Sequence, residues 1–172
     1  ESLGVDFHLY IVNNDIYKYV DYKFEDLCAK YKFLSMEFIE SDKNGGYGYG
    51  NNIVLPRLNS DYHLVVNPDI IFFEDSFYQA IKIMQAKKNF GLLTPSVLGT
   101  NNTIYPSCKN NPTLFSQFLR FALKHKKYIC KKYLDEYEYL NYSYHKEIYD
   151  IPNCTGCFMF FRTKVFKKLN GF

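Results

Sequence analysis

Apolar and polar positions divide the chain into short blocks with sharp polar breaks between them. Val5 to Val12 (VDFHLYIV) is a β-type run that ends at Asn13-Asn14-Asp15. Tyr17 to Tyr31 places Phe24, Leu27, Cys28 and Tyr31 at helical spacing. Phe33 to Ile39 predicts a short strand, and Ser41 to Asn52, rich in Gly and Asn, predicts a loop. Ile53 to Leu58 reads as one or two helical turns interrupted by Pro56. Tyr62 to Val66 is a buried-type strand that breaks at Asn67-Pro68-Asp69. Ser76 to Lys87 is an amphipathic helix with Phe77, Ala80, Ile81 and Met84 on one face. A strand over Phe90 to Val97 follows, then the longest helical pattern, Thr113 to Tyr133. Ile148 to Pro152 is short and extended, and Gly156 to Phe161 is an apolar strand. Strands alternating with helices predict one α/β domain over residues 1–172, with a mainly parallel sheet flanked by helices. Ligands of such sheets bind at the carboxyl ends of the strands, where the two polar breaks fall.

Composition narrows the class. Of the 172 residues, 47% are apolar and 23% charged, ordinary globular usage that excludes disorder as the overall state. A net charge of +3 is too small to argue for nucleic acid as a partner. No apolar run approaches the ~20 residues of a membrane-spanning helix, and no basic stretch with an apolar core opens the chain as a signal peptide would. Five cysteines, an odd number in a chain that needs no staples, read as free thiols in a reducing, cytoplasmic compartment.

Four motifs could carry chemistry. Asn44-Gly45-Gly46-Tyr47-Gly48-Tyr49-Gly50-Asn51-Asn52 clusters glycines that tolerate unusual φ and let backbone N–H groups approach an anion. It is neither a P-loop nor a dinucleotide fingerprint, and a plain flexible loop is the competing reading. Asn67-Pro68-Asp69 projects a carboxylate from a strand end, where it suits magnesium or manganese on a diphosphate; as an isolated tripeptide it reads first as a turn whose Asp caps the next helix. Cys154-Thr155-Gly156-Cys157 has redox or zinc spacing, but lacks paired further ligands and leads into a strand, so its spacing reads as chance. The stretch from Arg120 to Lys132 interleaves Arg120, Lys124, Lys126, Lys127, Lys131 and Lys132 with apolar residues. Such a helix either docks on an anionic membrane or sets its apolar side in the core with its lysines in water. His8, His63, His125 and His145 show no ligand pattern, and His8 and His63 read as satisfied core or edge histidines.

The order of these motifs is more specific than any one of them. A strand ending V-N-N-D precedes N-x-G-x-G-x-G-N-N and then a strand ending V-N-P-D. Gly91-Leu92-Leu93-Thr94-Pro95, Pro112-Thr113-Leu114, and Thr155 to Arg162 leading to Asn170-Gly171-Phe172 complete the series. The series resembles the inverting glycosyltransferases of family 2, especially bacterial rhamnosyltransferase-like members. That resemblance implies the GT-A fold, a Rossmann-like domain that binds a nucleotide-sugar and usually a divalent metal. It places Asp69 on the metal, magnesium or manganese. Asn13, Asn14 and Asp15 would lie against the nucleoside, with Asn13 standing where the family usually has Asp. Asn44, Gly46, Gly50, Asn52 and Asn67 would line the donor side, and Gly156 would give backbone access near the sugar or acceptor.

The resemblance further implies a domain incomplete at both ends, with the catalytic base expected beyond Phe172. The function it implies is transfer of a sugar, rhamnose being a candidate, from a nucleotide-sugar donor to a glycan or lipid-linked acceptor in cell-envelope polysaccharide synthesis. As a fragment the chain is not expected to catalyse transfer unaided. The expected location is cytoplasmic, with the inner face of the plasma membrane within reach of residues 113–133. The alternative is a non-catalytic α/β binding module derived from this family, which metal-independence of nucleotide binding would reveal.

Overall fold

A computed structural model describes residues 5–15, 29–30, 35–73, 75–122 and 131–172. The helix expected over Tyr17 to Tyr31 lies almost wholly outside them, although Ala29 and Lys30 are helical. The first strand, β1, is His8–Asn13, and β2 is Ser35–Glu40. They pair in parallel from His8↔Ser35 to Asn13↔Glu40. A parallel pair needs a long crossover, which residues 14–34 supply.

The glycine-rich segment is the clearest departure from expectation. Gly46–Asn52 forms a helix, α1, rather than a loop. Glycine costs a helix about 1 kcal/mol against alanine, so tertiary contact must hold this one. The glycines allow the contact. A Cβ on Gly45 would meet the Tyr49 ring at 2.3 Å, and one on Gly48 would meet the Phe172 Cβ at 3.1 Å. A 3-10 turn at Leu55–Arg57 follows; Pro56, expected to interrupt the helical turns here, sits inside its first turn, where a missing N–H costs nothing. Strand β3 is Tyr62–Val66, and helix α2 is Ser76–Ala86 with Ala80 and Met84 buried.

The strand expected over Phe90 to Val97 is two short ones, β4 (Leu92–Leu93) and β5 (Val97–Leu98). Pro95 between them has no N–H to donate, and the Thr94 hydroxyl donates to the Phe158 carbonyl at 2.9 Å. Strand β6 (Ile104–Tyr105) pairs antiparallel with β5, and β7 (Cys108–Lys109) pairs antiparallel with β8 (Asn153–Cys154). Helix α3 is Leu114–Ala122 and helix α4 is Lys131–Tyr137; residues 123–130 between them lie outside the described residues. Thr113 caps α3. Its hydroxyl accepts from Ser116 N at 3.0 Å, while the Ser116 hydroxyl accepts from Thr113 N at 2.9 Å, a reciprocal box with serine in place of the usual glutamate. The extended stretch expected at Ile148 to Pro152 is absent, because Asp150 takes a positive φ of 52° that turns the chain. The last strand, β9, is Phe158–Arg162, and helix α5 is Thr163–Lys168.

The architecture is mixed α/β. Strands β3, β9 and β4 form a three-stranded sheet in that order, and the other sheets are two-stranded. The only parallel register defined among the described residues is β1–β2, so the mainly parallel sheet expected from the sequence is reduced to that pair. Phe158, Met159, Phe160 and Phe161 are all buried, as the middle strand of a sheet covered on both faces requires.

The chain divides into two compact units. One comprises residues 1–63, 72–92 and 161–172; the other comprises 64–71 and 93–160. In the first, Val54, Leu58, Ala80, Met84, Phe161 and Phe166 are buried. Arg162 there closes the end of α2. Its guanidinium donates to the carbonyls of Met84 (2.8 Å), Lys87 (3.3 Å) and Phe90 (3.1 Å), a cation on the orphan acceptors of a helix C-terminus. In the second, Val65, Cys108, Leu119, Leu134 and Tyr139 are buried.

Candidate functional site

The polar turn after β1 is built around Asn14. Asn44 first makes an Asx-turn, its Oδ1 accepting from Gly46 N at 3.1 Å. Gly46 sits at φ +83°, a conformation that glycine takes without strain. The same Asn44 oxygen accepts from Asn14 Nδ2 at 3.2 Å, and the Gly46 carbonyl accepts from that nitrogen at 3.1 Å. A carbonyl can only accept, so the Asn14 amide nitrogen must face Gly46 and its oxygen must face away. That oxygen, Oδ1, is buried and has no hydrogen-bond partner among the described residues. Gly50 is buried beside it, and a Cβ there would lie 3.5 Å from the Asn14 carboxamide. Asn13 closes the turn, its Oδ1 accepting from Asp15 N at 3.0 Å.

Asn13, Asn14, Asp15, Asn44, Gly46 and Gly50 thus come together in the first unit. Asn52 is there too, with both ends of its carboxamide engaged by one residue. Its Nδ2 donates to the Phe172 carbonyl and its Oδ1 accepts from Phe172 N, each at 3.0 Å. Gly171, at φ +79°, makes the close approach possible, since a Cβ there would sit 2.0 Å from Asn52 Oδ1. The sequence pairing of Asn51-Asn52 with a terminal Asn-Gly-Phe was the available signal for this clamp. Gly45 and Gly48 serve close packing against Tyr49 and Phe172, while the first-turn N–H groups of α1 are not taken up by its own helical ladder.

Asp42 and Tyr49 border the turn and were not anticipated. The Tyr49 hydroxyl donates to Asp42 Oδ1 at 2.6 Å, which holds the Asp42 carboxyl below its usual range and raises the Tyr49 phenol. Lys43 Nζ lies 4.9 Å from the centre of the Tyr49 ring.

Asn67, Asp69 and Gly156 belong to the second unit. Asn67 N donates to the Cys157 carbonyl at 3.1 Å, fixing the end of β3 to the turn that contains Gly156. Pro68 and Asp69 form an exposed turn, and no helix starts there to be capped. No group of three His, Cys, Asp or Glu able to hold a metal occurs among the described residues. Asp69 therefore offers a single hard oxygen donor. That suits a magnesium-type ion that keeps its waters and arrives with a diphosphate, rather than a cage of protein ligands.

His63 is a core residue, stacked on Phe166 with centroids 5.3 Å apart. Its Nε2 has no partner among the described residues, so it is not the satisfied histidine expected. Burial lowers its pKa to about 4. His8 matches the edge reading, its Nδ1 2.7 Å from the Ser35 hydroxyl. Cys154 faces Cys108 across β7–β8, and burial followed by these neighbouring thiols raises its own pKa. No family model, curated protein or solved structure matches the chain.

Proposed function

We propose that the chain is the donor-binding part of an inverting glycosyltransferase of the GT-A type, taking a nucleotide-sugar and transferring its sugar to a glycan or lipid-linked acceptor. The observation that carries this reading is the Asn14 carboxamide. Its donor side is committed to Asn44 and Gly46, and its buried oxygen is left as an acceptor. A buried acceptor without a partner costs about 1–3 kcal/mol, a cost that a ligand donor removes. The imide N–H of a uracil or thymine base is such a donor, so Asn14 reads the base while Asn13 and Asp15 shape the turn beside it. By the family resemblance Asp69, exposed after β3 in the second unit, is the residue for the divalent ion, which would supply charge neutralisation to a departing diphosphate. By the same resemblance Gly156, also in the second unit, is the candidate for backbone access to the sugar or acceptor.

Calorimetric titration with dTDP, UDP and GDP, with and without manganese, tests this. Binding of a pyrimidine nucleotide that Asn14→Ala weakens about tenfold, and that needs manganese through Asp69, is the expected result. Asp69→Asn should leave the fold intact and abolish the metal dependence. Absence of nucleotide binding under every condition would refute the reading. Binding indifferent to manganese and to Asp69→Asn would favour a non-catalytic binding module, a reading to which the single carboxylate at Asp69 lends some weight.

A further inference from the structure

Helix α3 carries its apolar residues on the outside. Leu114 is 94% exposed, Phe115 55%, Phe118 62% and Phe121 88%. At 3.6 residues per turn these four span an arc of about 120°. The side turned away from them holds the two buried residues, Ser116 and Leu119. The face is therefore not the helix's core side. Three phenylalanines and a leucine are thus left facing water, where burying them would be favourable. Phe115 packs edge-on against Tyr133 of α4, centroids 5.8 Å apart, and Lys131 and Lys132 at the start of α4 are exposed. The stretch that joins the two helices is strongly basic in sequence, while the acidic Asp135 and Glu136 come only later in α4.

We infer that α3 is a docking face for an anionic lipid surface, with Leu114, Phe118 and Phe121 entering the headgroup–acyl boundary and Lys131 and Lys132, at the start of the helix that Phe115 touches, held at the phosphates. Charge decides the occupant. A second copy of this chain would bring Lys131 and Lys132 towards their like-charged counterparts, whereas an anionic lipid surface attracts them. A single-stranded nucleic acid would need aromatics interleaved with cations on one surface, but the exposed arc of Leu114, Phe115, Phe118 and Phe121 is wholly apolar.

Co-sedimentation of the chain with vesicles tests this. Vesicles of phosphatidylcholine with 30% phosphatidylglycerol, about a third anionic as at a charged membrane surface, are compared with phosphatidylcholine alone. The expected result is binding to the anionic vesicles only, falling as salt rises. The double variant Phe118→Ser, Phe121→Ser should lower the partition coefficient about tenfold or more. Lys131→Gln with Lys132→Gln should lower it less, and Leu169→Ser, an exposed apolar site elsewhere, should leave it unchanged. Circular dichroism of each variant confirms that the fold persists. No binding to anionic vesicles, or binding indifferent to the phenylalanine changes, overturns the inference. So does self-association abolished by the same changes, or displacement from vesicles by an oligonucleotide.

Discussion

At the scale of single residues, the arrangement depends on polar groups whose partners are backbone atoms. Arg162, Asn14 and Asn52 each answer carbonyls or amides left open by an element end or a turn. None of these pairings follows from local sequence, because each partner is more than 30 residues away or set by a glycine's φ. His63, like the Asn14 oxygen, is a polar group with an unmet need. Its imidazole stays neutral in the folded state down to about pH 4, against 6.5 in the unfolded chain. Between those values the unfolded state binds a proton that the folded state does not, so acidification favours unfolding. The contribution is fully present above about pH 6.5 and lost progressively towards pH 4, by up to about 3 kcal/mol. Urea denaturation at pH 7.5 and at pH 5 should show the lower midpoint at pH 5. His63→Leu, which keeps an apolar side chain against Phe166, should remove most of that difference. An equal acid sensitivity in the variant would assign the effect to other groups.

At the scale of elements, apolar patterning located β2, β3, β9 and α2 within a residue or two, and β1 within three. The failures have specific causes. The glycines of α1 suggested a loop because glycine disfavours helix on average, but the close packing that Gly48 allows against Phe172 outweighs that preference. Strands β5 to β8 have two residues each, too short for any period to register. The pair β7–β8 also gives a meaning to Cys154 that the C-x-x-C spacing hid. Thr155 N donates to the Ser107 carbonyl at 2.8 Å, and Cys108 N donates instead to the Tyr144 hydroxyl at 3.3 Å. Cys108 and Cys154 are therefore a non-hydrogen-bonded pair, the closer kind, with Cα atoms about 4.5 Å apart, inside the ~4.4–6.8 Å range of disulfides. Diamide should take two electrons and two protons from these thiols and leave a Cys108–Cys154 disulfide. The raised Cys154 pKa makes the reaction slow at neutral pH and faster near pH 9. Peptide mapping without reductant identifies the link, and a Cys154–Cys157 bridge in its place would refute the register argument.

At the scale of the whole molecule, the sequence conveyed the alternation of strand and helix and thus the mixed α/β class. It also grouped Asn13, Asn14, Asp15, Asn44, Gly46 and Gly50 around one strand end, because a parallel pair sets the turn after β1 beside the segment after β2. Patterning could not show the division into units, since neither is a continuous stretch of chain. The second unit takes residues 64–71 from a place in the sequence well before its main body, 93–160. That borrowed piece carries buried Val65 and the Asn67 N–H that bonds to Cys157. Without it, Phe158, Met159 and Phe160 lose the strand beside them, and a body of fewer than 70 residues rarely has much stability to spare. Residues 93–160 expressed alone should therefore show no cooperative thermal transition, and adding a peptide spanning residues 60–73 should restore one in proportion to its concentration. A sharp transition in the excised piece by itself would mean that its core is sufficient without Val65 and that the strand from 62 to 66 only docks upon it.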